Sequence, residues 1–421
     1  MKKITKKIIS LIRIASYIFS ILIIIPIRIF IIFLNPIISI NFAFTATNRF
    51  GSLALDVPLI LGIIKKENKK RSISIIVHSV PISNNFFFQK IKESKIYNFE
   101  NIYFIKENWF FKSLKENFNY FQFLDFNHID GKKIDNFLDA ESNFFAKNSN
   151  FINLNNEENK KGVDLLKKLN IDPNKPWICF HNRDSEYLKK TLPDADFSYH
   201  NYRDFDVETM LKAAEYFAEK NYSVLRVGEI QKGKFQINNP SIIDYANSNL
   251  RSEFADIFLL SNCKAYFGSD SGVHNLPLIK NIPIFFINIS LTILTIFMKG
   301  GSNSSRISPY PFIFKNIFDP KKNRNLTLSE IFDYNLFPNY DLKKFNSLGL
   351  KLISNSKEEI YDFSKEVLDY LGGNWKLDSE DIKFQEKFWK IIYDKSNFKQ
   401  VTNIPAPIGK SFLKKYSNIL N

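Results

Sequence analysis

The sequence predicts an α/β protein of two doubly wound halves, and three observations predict it. From residue 41 onward, short apolar runs alternate with amphipathic ones, the pattern of strand–helix–strand units on a parallel sheet. Glycines close several apolar runs, as at Gly228 and Gly268, where strands of such sheets turn toward helices. The 421 residues, 45% hydrophobic and 24% charged, suffice for two or three domains, which excludes both a small disulfide-stapled module and a disordered chain.

Residues 1–40 differ in composition from the rest of the chain. Lys2, Lys3, Lys6, Lys7, Arg13 and Arg28 supply +6 of the net +15, and no acid precedes Asp56. The uncharged stretch from Ile14 to Ile27 would cover only about 21 Å as a helix, short of the ~30 Å hydrocarbon core of a bilayer. Counting from Ile8 to Leu34 allows a span if Arg13 and Arg28 reach the interface, with a kink at Pro26. No small-residue cleavage site comes after it, which argues against a secretory leader. The expectation is a hydrophobic membrane-associated helix, spanning or interfacial, held by apolar burial and by the attraction of its cations to anionic lipid. Cys179 and Cys263 lie in apolar stretches and read as buried thiols of a reducing compartment, which puts the body on the cytoplasmic side. The remaining basic excess comes with many Phe, Ile, Asn and Tyr residues, which share A/T-rich codons with Lys. It carries no reader motif, so nucleic acid is not an expected partner.

Residues 41–155 form the first half. Asn41–Thr47, Ser72–Ser79 and Asn101–Ile105 read as strands, with Phe50–Lys65 as the first connecting helix; residues 107–126 are rich in Phe and Trp and remain unassigned. Arg49 and Gly51 stand in the turn after strand one, which either faces a cleft or is an ordinary strand–helix turn. The polar, Asn-rich stretch 148–161 marks the linker.

Residues 156–315 form the second half, the more legible one. Trp177–Arg183, Ser223–Gly228, Lys264–Ser269 and Ile282–Asn288 read as strands. Val207–Asn221, Arg251–Cys263 and Gly272–Lys280 read as helices, the first with Val207, Met210, Leu211, Ala214, Phe217 and Ala218 on one stripe. Residues 316–421 are expected as a helical extension packing across both halves. Its helix Lys357–Leu371 is announced by Ser356 and Glu359 as a capping box.

A ligand of such a sheet sits beyond the carboxyl ends of its strands, and the polar clusters fall there. His181 and Arg183 end one strand and suit phosphate oxygens, the arginine as a bidentate donor. Ser198, His200 and Arg203 lie in a dense polar and aromatic run just before a helix. Asn247 and Arg251 come after another strand candidate. Ser269, Asp270, Ser271 and Gly272, leading to His274, join strand to helix, where glycine admits close backbone approach and free amides attract an anion. Asp270 or Ser271 can equally be a plain N-cap. Asp194-Ala195-Asp196 and Asp204-Phe205-Asp206 match the Asp-x-Asp metal pattern, a pattern that recurs by chance. The histidines lack metal-ligand company, so neither a catalytic metal nor another cofactor is expected.

The stretches FHNRDSEYL, SYHNYRDFDVETMLKAAEYFAEKNYSVLRVGE and DYANSNLRSEFADIFLLSNCKAYFGSDSG, with RFGSLA near the start and NWKLDSEDIKFQEKFW and PIGKSFLKKY near the end, resemble a family of bacterial glycosyltransferases of surface-polysaccharide (lipopolysaccharide or capsule) synthesis. SDSGVH is more distantly similar to the donor-site turn of heptosyltransferases and sugar-nucleotide epimerases, and HNRD to the His-x-Arg element of GDP-fucose-using transferases. The heptosyltransferase turn places its histidine one residue later than His274. The epimerase turn has a second glycine and a glutamate absent here.

The resemblance implies a GT-B-like architecture, two Rossmann-like domains facing a cleft, with the acceptor on the first and the nucleotide-sugar donor on the second. It implies a metal-independent transfer to a glycan or lipid-linked acceptor at the cytoplasmic face of the bacterial inner membrane. Ser269, Asp270, Ser271 and Gly272 would then hold the donor, with His181 and Arg183 at its diphosphate. An inverting transfer needs a base, for which the first half offers Asp56, the expectation, and His78. The rival readings are a sugar-nucleotide epimerase of the same fold and a non-catalytic membrane-attached scaffold.

Overall fold

The structure is a computed structural model that describes residues 29–34, 36–67, 72–97, 99–108, 110–112, 127–140, 144–149, 151–191, 196–229, 231–235, 238–291, 310–337, 341–396 and 404–421, with six isolated positions besides. The chain divides into two compact units, Met1–Phe137 and Leu138–Asn421.

In the first unit, β1 (Ser39–Thr45), β2 (Ser72–His78), β3 (Ile102–Lys106) and β4 (Asn127–Ile129) make an all-parallel sheet in the order β3-β2-β1-β4. β1 and β2 run in register until Thr45 stands opposite His78, so both reach the carboxyl edge together. Helix α1 (Phe50–Lys66) buries Leu53, Ala54 and then every residue from Val57 to Ile64, so its second half is covered all round rather than along one stripe.

Most of the expected membrane helix lies outside the described residues, as do residues 116–126 of the unassigned Phe- and Trp-rich stretch. Residues 29–34 are helical. Ile31 packs with Phe42 of β1, whereas Ile29, Phe30, Ile32 and Phe33 are exposed, Phe33 at 76%. Among the described residues no helix is long and apolar enough to cross a membrane.

In the second unit, β5 (Trp177–His181), β6 (Ser223–Arg226), β7 (Ile242–Ile243), β8 (Ala265–Gly268), β9 (Ile284–Ser290) and β10 (Phe312–Asp319) run parallel in the spatial order β7-β6-β5-β8-β9-β10. Counted from β5, this is the 3-2-1-4-5-6 order of a Rossmann sheet, whose winding reverses between β5 and β8. Strand β8 approaches β5 so closely that a Cβ on Gly268 would lie 2.0 Å from the carbonyl oxygen of His181. No residue but glycine fits there.

The helices are shorter than their apolar patterns. Val207–Asn221 is a 3-10 turn, Val207–Met210, followed by α2 (Leu211–Glu219), and Asn221 ends the helix with φ of 65°. Helix α3 (Glu253–Asn262) is capped by Ser252. Gly272–Lys280 is a 3-10 turn, Gly272–His274, followed by the five-residue α4 (Asn275–Ile279).

The stretch 316–421 is not purely helical. It opens with the second half of β10, and β11 (Arg324–Asn325) and β12 (Lys351–Ile353) pair antiparallel with that strand. The run Phe312-Ile-Phe-Lys-Asn-Ile-Phe is apolar and almost wholly buried, which suits a strand covered on both faces. Helix α5 (Lys357–Leu371) starts at Ser356, whose hydroxyl accepts from Glu359 N at 3.2 Å while Glu359 accepts from Ser356 N at 2.9 Å. It packs on α2, with Tyr361 edge-on to Tyr216.

Candidate functional site

The switch point between β5 and β8 gathers most of the cluster. The backbone N of Arg183 donates to Ser269 Oγ at 2.8 Å, and Ser269 N donates to the His181 carbonyl at 3.0 Å, so the segment after β5 and the turn after β8 are stitched together. Arg183 is only 6% exposed. Its Nη1 pairs with Asp204, while its Nη2 is buried without an acceptor among the described residues. Arg203 reaches the same turn, with Nη1 3.7 Å from Asp270, and its Nε is likewise buried without an acceptor. The two guanidinium charges bear on each other, a repulsion that lowers the Arg183 pKa after the larger effect of burial. Buried donors without acceptors are rare in native proteins and point to a missing partner.

In the turn itself, Ser271 N donates to His274 Nδ1 at 3.2 Å and Val273 N to Ser271 Oγ at 3.3 Å. The amides of Asp270 and Gly272 find no acceptor among the described residues. The two histidines differ in what they offer. His181 Nδ1 lies 2.9 Å from the Val227 carbonyl, which only accepts, so Nδ1 carries the proton. Burial first, then the neighbouring charges of Arg226 and Arg183, outweighs that bond and brings His181 down to about 4. The ring is neutral and Nε2 is an acceptor, the reverse of the phosphate-donor role expected for it. His274 accepts at Nδ1, burial lowers its pKa, and its neutral ring carries the proton on Nε2. His274 is the donor of the pair.

An expected arginine, an amide and a histidine turn out to be engaged elsewhere or packed against rings. Arg251 donates to the Gly228 carbonyl at 3.2 Å and pairs with Asp256 at 2.9 Å and Glu229 at 3.2 Å. Burial raises the Asp256 carboxyl to about 6 despite that arginine. Asn247 donates to the Gly233 carbonyl at 3.1 Å and to Asp244 at 2.8 Å. Both residues brace the loop after β6 rather than presenting groups to a ligand. His200 stacks on Phe197 and Tyr199 in the 3-10 turn Ser198–Arg203. Ser198 and Arg183 line a cavity of about 130 Å³ with Ser185, Lys189, Phe197 and Asn201. Whole small-molecule sites run to ~300–1,000 Å³, so this cavity takes one group of a larger ligand.

Motifs do not announce Arg226 or Lys315, and Asp204 stood out only in an Asp-x-Asp pattern, not as a partner of Arg183. Arg226, 1% exposed, donates to Asn182 Oδ1 at 3.2 Å and to the carbonyls of Gly233 and Lys232 at 3.0 and 2.9 Å, tying β5 to the loop after β6. Asp204 pairs with Arg183, and Lys315, 3% exposed in β10, donates to the Asp204 carbonyl at 2.7 Å. The available signal was a single cation inside an apolar strand, as in SVLRV and FIFKNIF. Buried charge is costly and needs a partner or a task. Around the turn, Arg183, Arg203 and Lys315 face Asp204 and Asp270, while Arg226 has Asp244 at 3.5 Å. Asp184 also bears on both Asp204 and Arg226, so these cations are matched by carboxylates around them.

On the first unit, Arg49 is the extended residue just before α1, Gly51 lies in its first turn and Asp56, half-buried, in its second. His78 instead closes β2. Its Nδ1 lies 3.1 Å from the Ser79 carbonyl and 3.5 Å from Thr47 Oγ1. Burial lowers its pKa, leaving a neutral ring with Nε2 as the basic nitrogen. A larger depression of about 460 Å³ on this unit is lined by Ile75, Phe99, Ile102, Tyr103 and Phe104 with Lys92 as its one charge, and lies apart from these groups. Among the described residues no group of three or more His, Cys, Asp and Glu is placed to hold a metal ion.

No protein family and no curated protein matches the chain. Solved structures do show likeness. The ADP-heptose lipopolysaccharide heptosyltransferase II of Escherichia coli matches at 12% identity and TM-score 0.37, over 74% of this chain and 98% of that one. A glycosyl transferase family 9 protein of Veillonella parvula matches at 12% and 0.37, over 59% and 80%. A Listeria monocytogenes protein assigned as a UDP-N-acetylglucosamine 2-epimerase matches at 10% and 0.33, over 87% and 99%. At these TM-scores the likeness assigns nothing by itself. The chain's own strand order defines the second unit as a Rossmann-like domain, with Arg183 and Arg203 at its switch point.

Proposed function

We propose that the protein is a glycosyltransferase of bacterial surface-polysaccharide synthesis, moving a sugar from a nucleotide-sugar donor to a glycan or lipid-linked acceptor. One observation carries the reading: at the β5/β8 switch point Arg183, buried, and Arg203, half-buried, each keep a buried N–H group with no acceptor among the described residues, beside two amides that find none either. Glycosyl transfer builds negative charge on the departing nucleoside diphosphate, and donors fixed in advance at that point stabilise it. In this reading Arg183, Arg203 and the amides of Asp270 and Gly272 take phosphate oxygens. The His274 Nε2–H adds a neutral donor, and His181 Nε2 accepts from a donor hydroxyl. The proposed transfer routes no step through a metal. For the base, His78 suits better than Asp56, because it ends a parallel strand, where such sheets present ligands, and stays neutral.

The test is thermal unfolding of the full chain with UDP, GDP, ADP and CMP. At least one is expected to raise Tm, since a ligand at 100 times its Kd adds about 2.7 kcal/mol to the folded state. No shift with any of the four favours the scaffold.

We further place the protein at the cytoplasmic face of the inner membrane, attached through its first 40 residues. The exposed apolar side chains of Ile29, Phe30, Ile32 and Phe33 and the six cations before residue 29 support this. The full chain is expected to sediment with vesicles containing phosphatidylglycerol and to be released by 1 M salt, where screening cuts the roughly 1 kcal/mol that each basic residue gains near anionic lipid. Equal binding to neutral vesicles contradicts the electrostatic part, and no binding to either contradicts the attachment.

A further inference from the structure

Lys315 lies in the middle of β10, three places along the sheet from β5, yet its ammonium ends in the site. Nζ donates to the Asp204 backbone carbonyl, and the Asp204 carboxylate holds Arg183 Nη1. Asp204 N in turn donates to the Asn201 carbonyl at 2.9 Å, closing the 3-10 turn that delivers Arg203. One aspartate thus joins three cation-bearing elements: β10 below, the end of β5, and the turn before α2.

We propose that Lys315 is a positioning residue of the diphosphate site, fixing Asp204 so that Arg183 keeps its second terminal nitrogen available to an anion. The inference rests on the glycosyltransferase reading of that site. A purely structural lysine contributes to folding alone, so its replacement costs stability but leaves the affinity and pH profile of the folded protein unchanged. A lysine that fixes Asp204 also sets the affinity, because its loss leaves the Asp204 carbonyl without that donor beside the carboxylate that holds Arg183 Nη1.

Burial, opposed by Asp204 and reinforced by the Arg183 charge, brings Lys315 down to about 8. Opposite it on β9 stands Ser290, which carries no charge. A bound diphosphate favours the ammonium, so its presence raises the Lys315 pKa. The contribution to affinity is therefore complete below about 8 and lost as pH rises from there through the higher value of the bound state. The phosphate ionises near 6 and is constant over this range.

The experiment is calorimetric titration of ADP, UDP and GDP into the full chain at pH 7, 8 and 9, for wild type, Lys315→Met and Lys315→Arg. Wild-type affinity is expected to fall about fivefold from pH 7 to 9. Lys315→Met is expected to bind about fivefold more weakly at pH 7 with a flat profile, and Lys315→Arg to restore the affinity and hold it at pH 9. A flat wild-type profile overturns the inference even if the methionine variant fails to fold. So does a methionine variant that keeps wild-type affinity and its pH dependence. Both results leave the diphosphate site standing, whereas a wild type that binds none of the three nucleotides removes the site and this role with it.

Discussion

Arg183→Ala is expected to weaken nucleoside diphosphate binding at least tenfold, about 1.4 kcal/mol, by calorimetry on the full chain. Two effects add. The variant removes the buried Nη2 donor, a charged-group hydrogen bond of the kind that contributes about 1.5–3 kcal/mol. It also strips Asp204 of its closest cation and leaves a partly buried carboxylate where a phosphate must come. Arg183→Lys keeps the charge but loses the planar fork, so it falls between the two. The folded state is monitored by circular dichroism, because the Arg183–Asp204 pair also joins β5 to the turn before α2. Affinity of the alanine variant within twofold of wild type would remove Arg183 from the site.

Gly268→Ala is expected to abolish accumulation of folded second unit. The new Cβ meets the His181 backbone oxygen at 2.0 Å where the last residues of β5 and β8 pair, and neither strand can yield there without opening the β5–β8 ladder. A cost above about 4 kcal/mol is exceptional for one methyl group, and whole-domain stability is only about 5–15 kcal/mol. Gly372→Ala is the control. Gly372 has φ of −86°, its nearest contacts are at 3.4 Å, and a Tm near wild type is expected. The measurement is soluble yield and Tm of both variants; a Gly268→Ala protein that melts like wild type contradicts the strand geometry.

Much of this architecture was legible because the second unit alternates cleanly between buried strands and striped helices. Trp177, Ser223 and the apolar runs that they open placed β5 and β6 to within two residues. Strand ends were legible too, since His181, Arg183 and Ser269–Gly272 break apolar runs abruptly. The interior of a strand was not. Lys315 and Arg226 each stand alone among apolar neighbours, and spacing alone says nothing about the aspartates that face them from distant parts of the chain. Nor does spacing decide whether a cation is available: Arg251 is held by Asp256, on the next helix, and by Glu229, beyond β6. The contrast between His181 and His274 is of the same kind, because each tautomer is set by a partner outside the ring. Helix α4 came out short because Ser271 and His274 close a 3-10 turn on each other and delay the α-helix to Asn275.

Titrating inorganic pyrophosphate into wild type, Arg183→Ala and Arg203→Ala asks only for the anion, with no nucleoside or sugar to help. The orphaned N–H groups of Arg183 and Arg203 at the β5/β8 crossing require one pyrophosphate per wild-type chain, displaced by the nucleotide that raises Tm and weakened by either substitution. Heat that is absent in wild type, or unchanged in both variants, would mean that those arginines serve the fold alone.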